Sequence, residues 1–241
     1  VAHRIVTVPV NGNPMEVFVF EPKGPGPHPA LILCQHIPGG HTGIENDPFT
    51  LYAGERYAEN GYVVAAPFIF HWWPKSAEME LKRKEFRDDW TTLDLNASFD
   101  MLAAMPNVRA DRIGMVGHCW GGRVSWLGAC TNPRLKACAT FYGGRVRLPM
   151  GPGTPPAIDL AGNIKCPVMG FYGDQDQGPS PEDVSVYDEA LTKAGVEHTF
   201  HRYAAAGHAF QNQYAPDKYH AESSEDAWKK AVAFFDAKLK K

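Results

Sequence analysis

The chain of 241 residues is longer than one average domain and short of two at a working figure of roughly 150 residues each, and its 44% hydrophobic and 21% charged residues are ordinary globular usage. A chain of this length can bury a sizeable core without staples, so disorder and a disulfide scaffold are excluded. The 24 Lys and Arg against 27 Asp and Glu leave a net charge of -3 with no block of one sign, which argues against nucleic acid or an anionic membrane as partner and for a small molecule.

The N-terminus, Val1-Ala-His-Arg, opens a strand of alternating polarity rather than a basic-then-apolar signal, and Met15 to Phe20 is a second strand. Ala30 to Cys34 is a short continuous apolar run of the kind buried on both faces of a parallel sheet. After a glycine-rich loop, Phe49 to Asn60 has helical spacing and stops at Gly61, and Tyr62 to Ala66 is the next buried strand. Ser76 to Met105 is too long for one typical helix and divides near Asp88 and Asp89, the second part carrying Trp90, Leu93, Ala97, Met101 and Ala104 on one face.

Four more strands follow, at Arg112 to Val116, Ala137 to Tyr142, Pro167 to Tyr172 and His198 to Tyr203, with helices after Cys119, at Pro181 to Ala194 and at Ser224 to Lys238. Strands alternating with helices imply an α/β fold, a mostly parallel sheet covered on both faces, whose catalytic groups belong at the carboxyl ends of the strands. No repeat or long linker divides the chain, so a single domain over 1–241 is expected. The longest apolar stretch, Gly61 to Phe70, is far below the roughly 18 residues that suggest a membrane span. The five cysteines, Cys34, Cys119, Cys130, Cys138 and Cys166, are odd in number and lack zinc-like spacing, which points to a reducing compartment, the cytoplasm, and to no metal.

Directly after the apolar strand ending at Val116 comes Gly117-His-Cys119-Trp-Gly121-Gly122, a nucleophile elbow of the form G-x-nucleophile-x-G with cysteine as the nucleophile. Such a turn from strand to helix is tight enough to require small residues two before and two after the nucleophile. The backbone N–H of Trp120 would serve an oxyanion, and the helix N-terminus lends positive potential to an anion at the sulfur. A carboxylate is expected after a later strand, and Tyr172-Gly-Asp-Gln-Asp176 supplies Asp176, with Asp174 read as a turn residue. His208, in the small-residue loop Ala205-Ala-Gly207-His208-Ala-Phe210, is the expected general base. The chain order Cys119, Asp176, His208 is that of α/β-hydrolase triads.

Together these segments resemble the dienelactone hydrolase family, the cysteine branch of the α/β-hydrolases, over nearly the whole chain. The resemblance extends to Gln35-x-Ile37-x-Gly39, where the family supplies a second oxyanion N–H, here from Ile37. It implies hydrolysis of lactones or esters through a cysteinyl acyl-enzyme with no metal or organic cofactor, by a monomer or homodimer. Two departures qualify this. His36 stands where the family has a glutamate near the cysteine, and either governs Cys119 from a second side or merely lines the pocket. Asn212 stands where the family has a substrate-holding arginine, so an uncharged ester or lactone is expected unless Arg123 or Arg145 reaches the pocket.

The loop Pro67 to Pro74 places aromatics at the catalytic end of the sheet, with Trp72 and Trp73 expected to wall an apolar pocket and Tyr142 a further lining residue. Glu45 and Asp47 are read as solvated loop residues. The alternatives are a dienelactone hydrolase proper (carboxymethylenebutenolidase), a redox or glyoxalase-like cysteine protein, or a binding domain that kept the pocket; a promiscuous phosphotriester cleavage assisted by His36 is also open. Class I glutamine amidotransferases share the elbow but use His-x-Glu, whereas Phe210 stands two residues after His208.

Overall fold

The computed structural model describes residues 2–37 and 43–241. Among the described residues, eight strands form one sheet: β1 (His3–Val10), β2 (Asn13–Phe20), β3 (His28–Cys34), β4 (Val63–Pro67), β5 (Val108–His118), β6 (Cys138–Phe141), β7 (Val168–Gly173) and β8 (His198–Tyr203). Their spatial order is β1-β2-β4-β3-β5-β6-β7-β8. Only β2 runs against the others, pairing antiparallel with β1 and β4, while every neighbouring pair from β4 to β8 is parallel. This is the mostly parallel sheet that the alternation of elements leads one to expect, in the α/β-hydrolase arrangement that the resemblance implies.

The central strands are buried on both faces because helices cover both. The α-helices among the described residues are α1 (Pro48–Glu59), α2 (Met79–Glu85), α3 (Asp88–Ala104), α4 (Trp120–Thr131), α5 (Pro181–Lys193) and α6 (Ala221–Leu239). On one face α1 and α6 lie together, Tyr57 against Trp228 and Arg56 bonded to Glu225; on the other α3 packs on α4. β4 and β6 have every residue buried, whereas β1, at one edge, is exposed along most of its length. Apolar runs without alternation therefore occupy the middle of the sheet and polar alternation its rim.

The long helical segment divides at Phe86 and Arg87, one residue ahead of the expected site, and the residues that α3 buries most deeply lie beside the apolar face read from the spacing, of which Ala97 and Met101 are partly buried against the core. Thr91, Leu95, Ser98, Phe99 and Leu102 face the sheet, while Leu93 is 42% exposed. The true stripe carries hydroxyls that are satisfied within the helix, Ser98 Oγ donating to the Asp94 carbonyl and Thr91 Oγ1 to that of Arg87, so hydrophobic periodicity alone selects the neighbouring stripe.

Candidate active site

The parallel strands all end at one edge of the sheet, and the segments that leave them converge there. Cys119 follows β5 and has φ +57° and ψ -118°, an unusual conformation for a residue with a side chain, which lifts its sulfur above the sheet. The elbow tolerates nothing larger than hydrogen at its flanking glycines. A Cβ on Gly117 would run into the carbonyl oxygen of Gly121, and one on Gly121 into that of Cys34, so backbone would meet backbone in both cases. The Cys119 N–H donates to Phe141 O at 3.0 Å, tying the turn to the end of β6. Tyr142, Arg145 and Ala209, at φ +39°, +57° and +60°, share the strained region and stand around the same sulfur.

His208 bridges the other two residues. Its Nε2 lies 3.1 Å from Cys119 Sγ and its Nδ1 2.8 Å from Asp176 Oδ2. Asp176 is buried, and its second oxygen accepts the Gly178 N–H at 2.8 Å, which fixes the carboxylate's orientation. Asp174, the near competitor, points elsewhere and pairs with Arg202 at 3.0 Å. Burial disfavours a charged His208, but its bonds to Asp176 and Cys119 and their negative charge outweigh burial and raise its pKa to about 10. The Asp176 carboxylate and the sulfur thus favour a proton on the His208 ring.

Two openings flank Cys119. The larger, about 450 Å³, is lined by His36, Ile37, Phe49, His118, Tyr142, His208, Asn212 and Lys218 among others. The smaller, about 330 Å³, lies between Ile37, Trp120, Arg83 and Arg145. Ile37 thus borders both, next to the sulfur, and Trp120 opens α4, where its N–H has no acceptor within the helix. Gly39 of the same loop lies outside the described residues.

His36 sits in the larger cavity with its Nδ1 3.2 Å from Asp47 Oδ2. Asp47 is not a solvated loop residue, as its loop position suggested, but is fully buried as the N-cap of α1, its carboxylate accepting the Thr50 N–H at 3.1 Å and the Thr50 hydroxyl. Asp-Pro ahead of an apolar helix was the available signal for this cap. Burial lowers the pKa of His36, with the Asp47 charge opposing and His208 and Lys218 adding to it; burial raises that of Asp47. His118, edge-on to Phe49 and stacked on Phe141, is driven down to about 3, chiefly by burial, and so stays neutral.

The two tryptophans of the β4 loop do not wall the site. The Trp72 indole donates to Asp94 Oδ2 at 3.0 Å and stacks on Trp90, and the Trp73 indole donates to Glu85 at 2.9 Å. These bonds tie both rings to α2 and α3, the Trp72 N–H partly buried against Asp94 and the Trp73 N–H meeting Glu85 at the surface. Arg123 borders the smaller cavity, but its guanidinium is committed to Asp88 and to the carbonyls of Arg145 and Leu148. Arg145 and Arg83, the latter over the Trp120 ring, have no ion-pair partner among the described residues; Arg83 carried no sequence signal that singled it out. Among the described residues no cluster of three or more His, Cys, Asp or Glu could hold a metal ion, and no helix is long and apolar enough to cross a membrane.

The family model described as "Dienelactone hydrolase family" matches residues 15–239. A Synechocystis protein named "Putative carboxymethylenebutenolidase" is 32% identical, the match covering 98% of this chain and 97% of that protein, and an Escherichia coli K12 protein of the same name is 30% identical over 95% and 84%. Among solved structures, one described as a "Putative Dienelactone Hydrolase" from Klebsiella pneumoniae superposes with a TM-score of 0.85 at 30% identity, covering 97% of this chain and 98% of that one. A dienelactone hydrolase-like promiscuous phosphotriesterase from metagenomic libraries, with a TM-score of 0.79 over 99% and 98% at 18% identity, shares the fold. On the extent of these matches, the chain belongs to the dienelactone hydrolase family, the cysteine branch of the α/β-hydrolases.

Proposed function

We propose that the protein hydrolyses small carboxylic esters or lactones through an acyl-enzyme on Cys119. The observation that carries this reading is His208 standing between the sulfur at 3.1 Å and a buried carboxylate at 2.8 Å. The Cys119 thiolate, paired with the His208 imidazolium, attacks the carbonyl carbon, and the N–H groups of Trp120 and Ile37 receive the oxyanion. Loss of one such donor costs roughly 2.7 to 4 kcal/mol of transition-state stabilisation. His208 then gives its proton to the leaving alkoxide, and water hydrolyses the thioester through a second oxyanion at the same place.

The absence of an arginine at position 212 argues for an uncharged substrate, but the unpaired guanidiniums of Arg83 and Arg145 beside Cys119 favour a carboxylate on the acyl or alcohol portion. An anionic lactone of the kind implied by the name of the Synechocystis relative fits that wall better than a neutral ester does. Five free thiols, one of them the nucleophile, suit a reducing compartment such as the cytoplasm. Phosphotriester cleavage is kept as a promiscuous activity, and turnover that stops after one equivalent removes it. The test of the main reading is steady-state hydrolysis of p-nitrophenyl acetate and butyrate by wild type and Cys119→Ala: turnover lost in the variant supports it, and equal rates overturn it.

A further inference from the structure

We infer that His36, oriented by Asp47, is a second general base of this site and activates the water that hydrolyses the Cys119 acyl-enzyme. The inference rests on the acyl-enzyme reading above and assigns a separate residue to its second half. His36 and His208 reach the same cavity from different strands, His36 after β3 and His208 after β8, and Cys119 lies on the wall of that cavity. Each imidazole has its Nδ1 near a buried carboxylate: His208 is bonded to Asp176 at 2.8 Å and turns its Nε2 to the sulfur, whereas His36 Nδ1 stands 3.2 Å from Asp47 without hydrogen-bond geometry. A carboxylate at Nδ1 favours the tautomer in which Nε2 is the acceptor, the form a general base requires.

The Asp47 carboxylate is held by the Thr50 N–H and hydroxyl, and the Phe49 ring, 5.3 Å away and edge-on, packs against the imidazole. A residue that only filled space would not need a buried carboxylate beside its ring on the wall of the cavity that holds Cys119. Because burial outweighs the Asp47 charge at His36, the ring is neutral near pH 7 and free to accept a proton. His208 remains directed at the sulfur, the atom that must leave in this step.

In the step itself a water oxygen adds to the thioester carbonyl carbon as one of its protons passes to His36 Nε2. The tetrahedral oxyanion collapses, the C–S bond breaks, and the electron pair stays on sulfur as thiolate. The proton of the carboxylic acid formed goes to His208, restoring its imidazolium, and His36 returns its proton to solvent. No oxidant, reductant or co-reactant beyond water is required.

The experiment is pre-steady-state hydrolysis of p-nitrophenyl acetate by wild type, His36→Gln and Asp47→Asn, with intact-mass analysis of quenched samples. Asparagine keeps the N-cap of α1 while removing the charge, so that variant folds even if the glutamine variant does not. The expected result is a burst of about one equivalent of p-nitrophenol in all three, reporting acylation, followed by turnover that falls roughly 10²- to 10⁴-fold in His36→Gln and in the same direction in Asp47→Asn. Acyl-enzyme on Cys119 then accumulates, and added imidazole restores part of the turnover in His36→Gln. Turnover unchanged after the burst in both variants overturns the inference, as does a burst slowed as much as the turnover, which would make His36 a packing residue for Cys119. Absence of any acylation in wild type sinks the acyl-enzyme reading itself, and the inference with it.

Discussion

Arg123 lies one turn past the nucleophile in α4, and its guanidinium meets Asp88, the first residue of α3, in a two-pronged contact at 2.5 and 2.9 Å. The two side chains are 1% and 6% exposed, and the same guanidinium also donates to Arg145 O and Leu148 O, each at 3.0 Å. Arg123→Met keeps the aliphatic stem but strands a buried carboxylate and two carbonyls. Removing one partner of a buried pair costs about 3–5 kcal/mol. At about 2–4 °C per kcal/mol for a chain of this size, the midpoint of thermal unfolding should fall by about 6–20 °C. Arg123→Met with Asp88→Leu removes the stranded charge and should recover at least half of the loss, leaving the two carbonyls to account for the remainder. Urea unfolding of wild type, both single variants and the double variant measures this directly. A single-variant loss below about 1 kcal/mol, in the range of exposed pairs, refutes the reasoning, as does a double variant no more stable than Arg123→Met.

Three further outcomes are expected. Exchanging Arg83 and Arg145 for glutamine should raise KM for esters carrying a carboxylate about tenfold or more while leaving neutral p-nitrophenyl esters within about twofold; equal effects on both classes would remove the cationic subsite. Iodoacetamide at neutral pH should label Cys119 alone by mass mapping, because burial pushes the Cys34 and Cys138 thiols up and holds Cys130 and Cys166 at about 12; modification of any of these four in folded protein contradicts the packing. The folded-state pKa of His208, about 10, is above its ordinary 6.5, so the stability it contributes relative to His208→Gln is complete below pH 6.5 and drains away as the pH rises toward 10. A stability difference that does not change across that window, by urea unfolding, would contradict the raised pKa of His208.

The fold and the meeting of Cys119, Asp176 and His208 were legible because each rests on a local requirement. Only glycine fits at 117 and 121, and the strand-to-helix order around them announces the elbow. Asp176 and His208 follow parallel strands whose ends must lie together once the sheet forms. What could not be read depends on partners distant in sequence. Trp72 and Trp73 look like pocket walls until Asp94 and Glu85, from helices that follow, are seen to receive their N–H groups. Asp47 looks solvated until His36 and Thr50 enclose it. Arg83 is one cation in the run Lys82-Arg83-Lys84, and nothing in the run shows which of them α2 turns toward the sulfur.

The most direct test of the account is the mass of the protein quenched during hydrolysis of p-nitrophenyl butyrate, with the modified residue located by peptide mapping. A single butyryl group on Cys119 that forms and decays during turnover, and that is absent from Cys119→Ala, is the expected result. Turnover by wild type with no adduct at Cys119, or with the acyl group on another residue, would contradict the central role given to that sulfur.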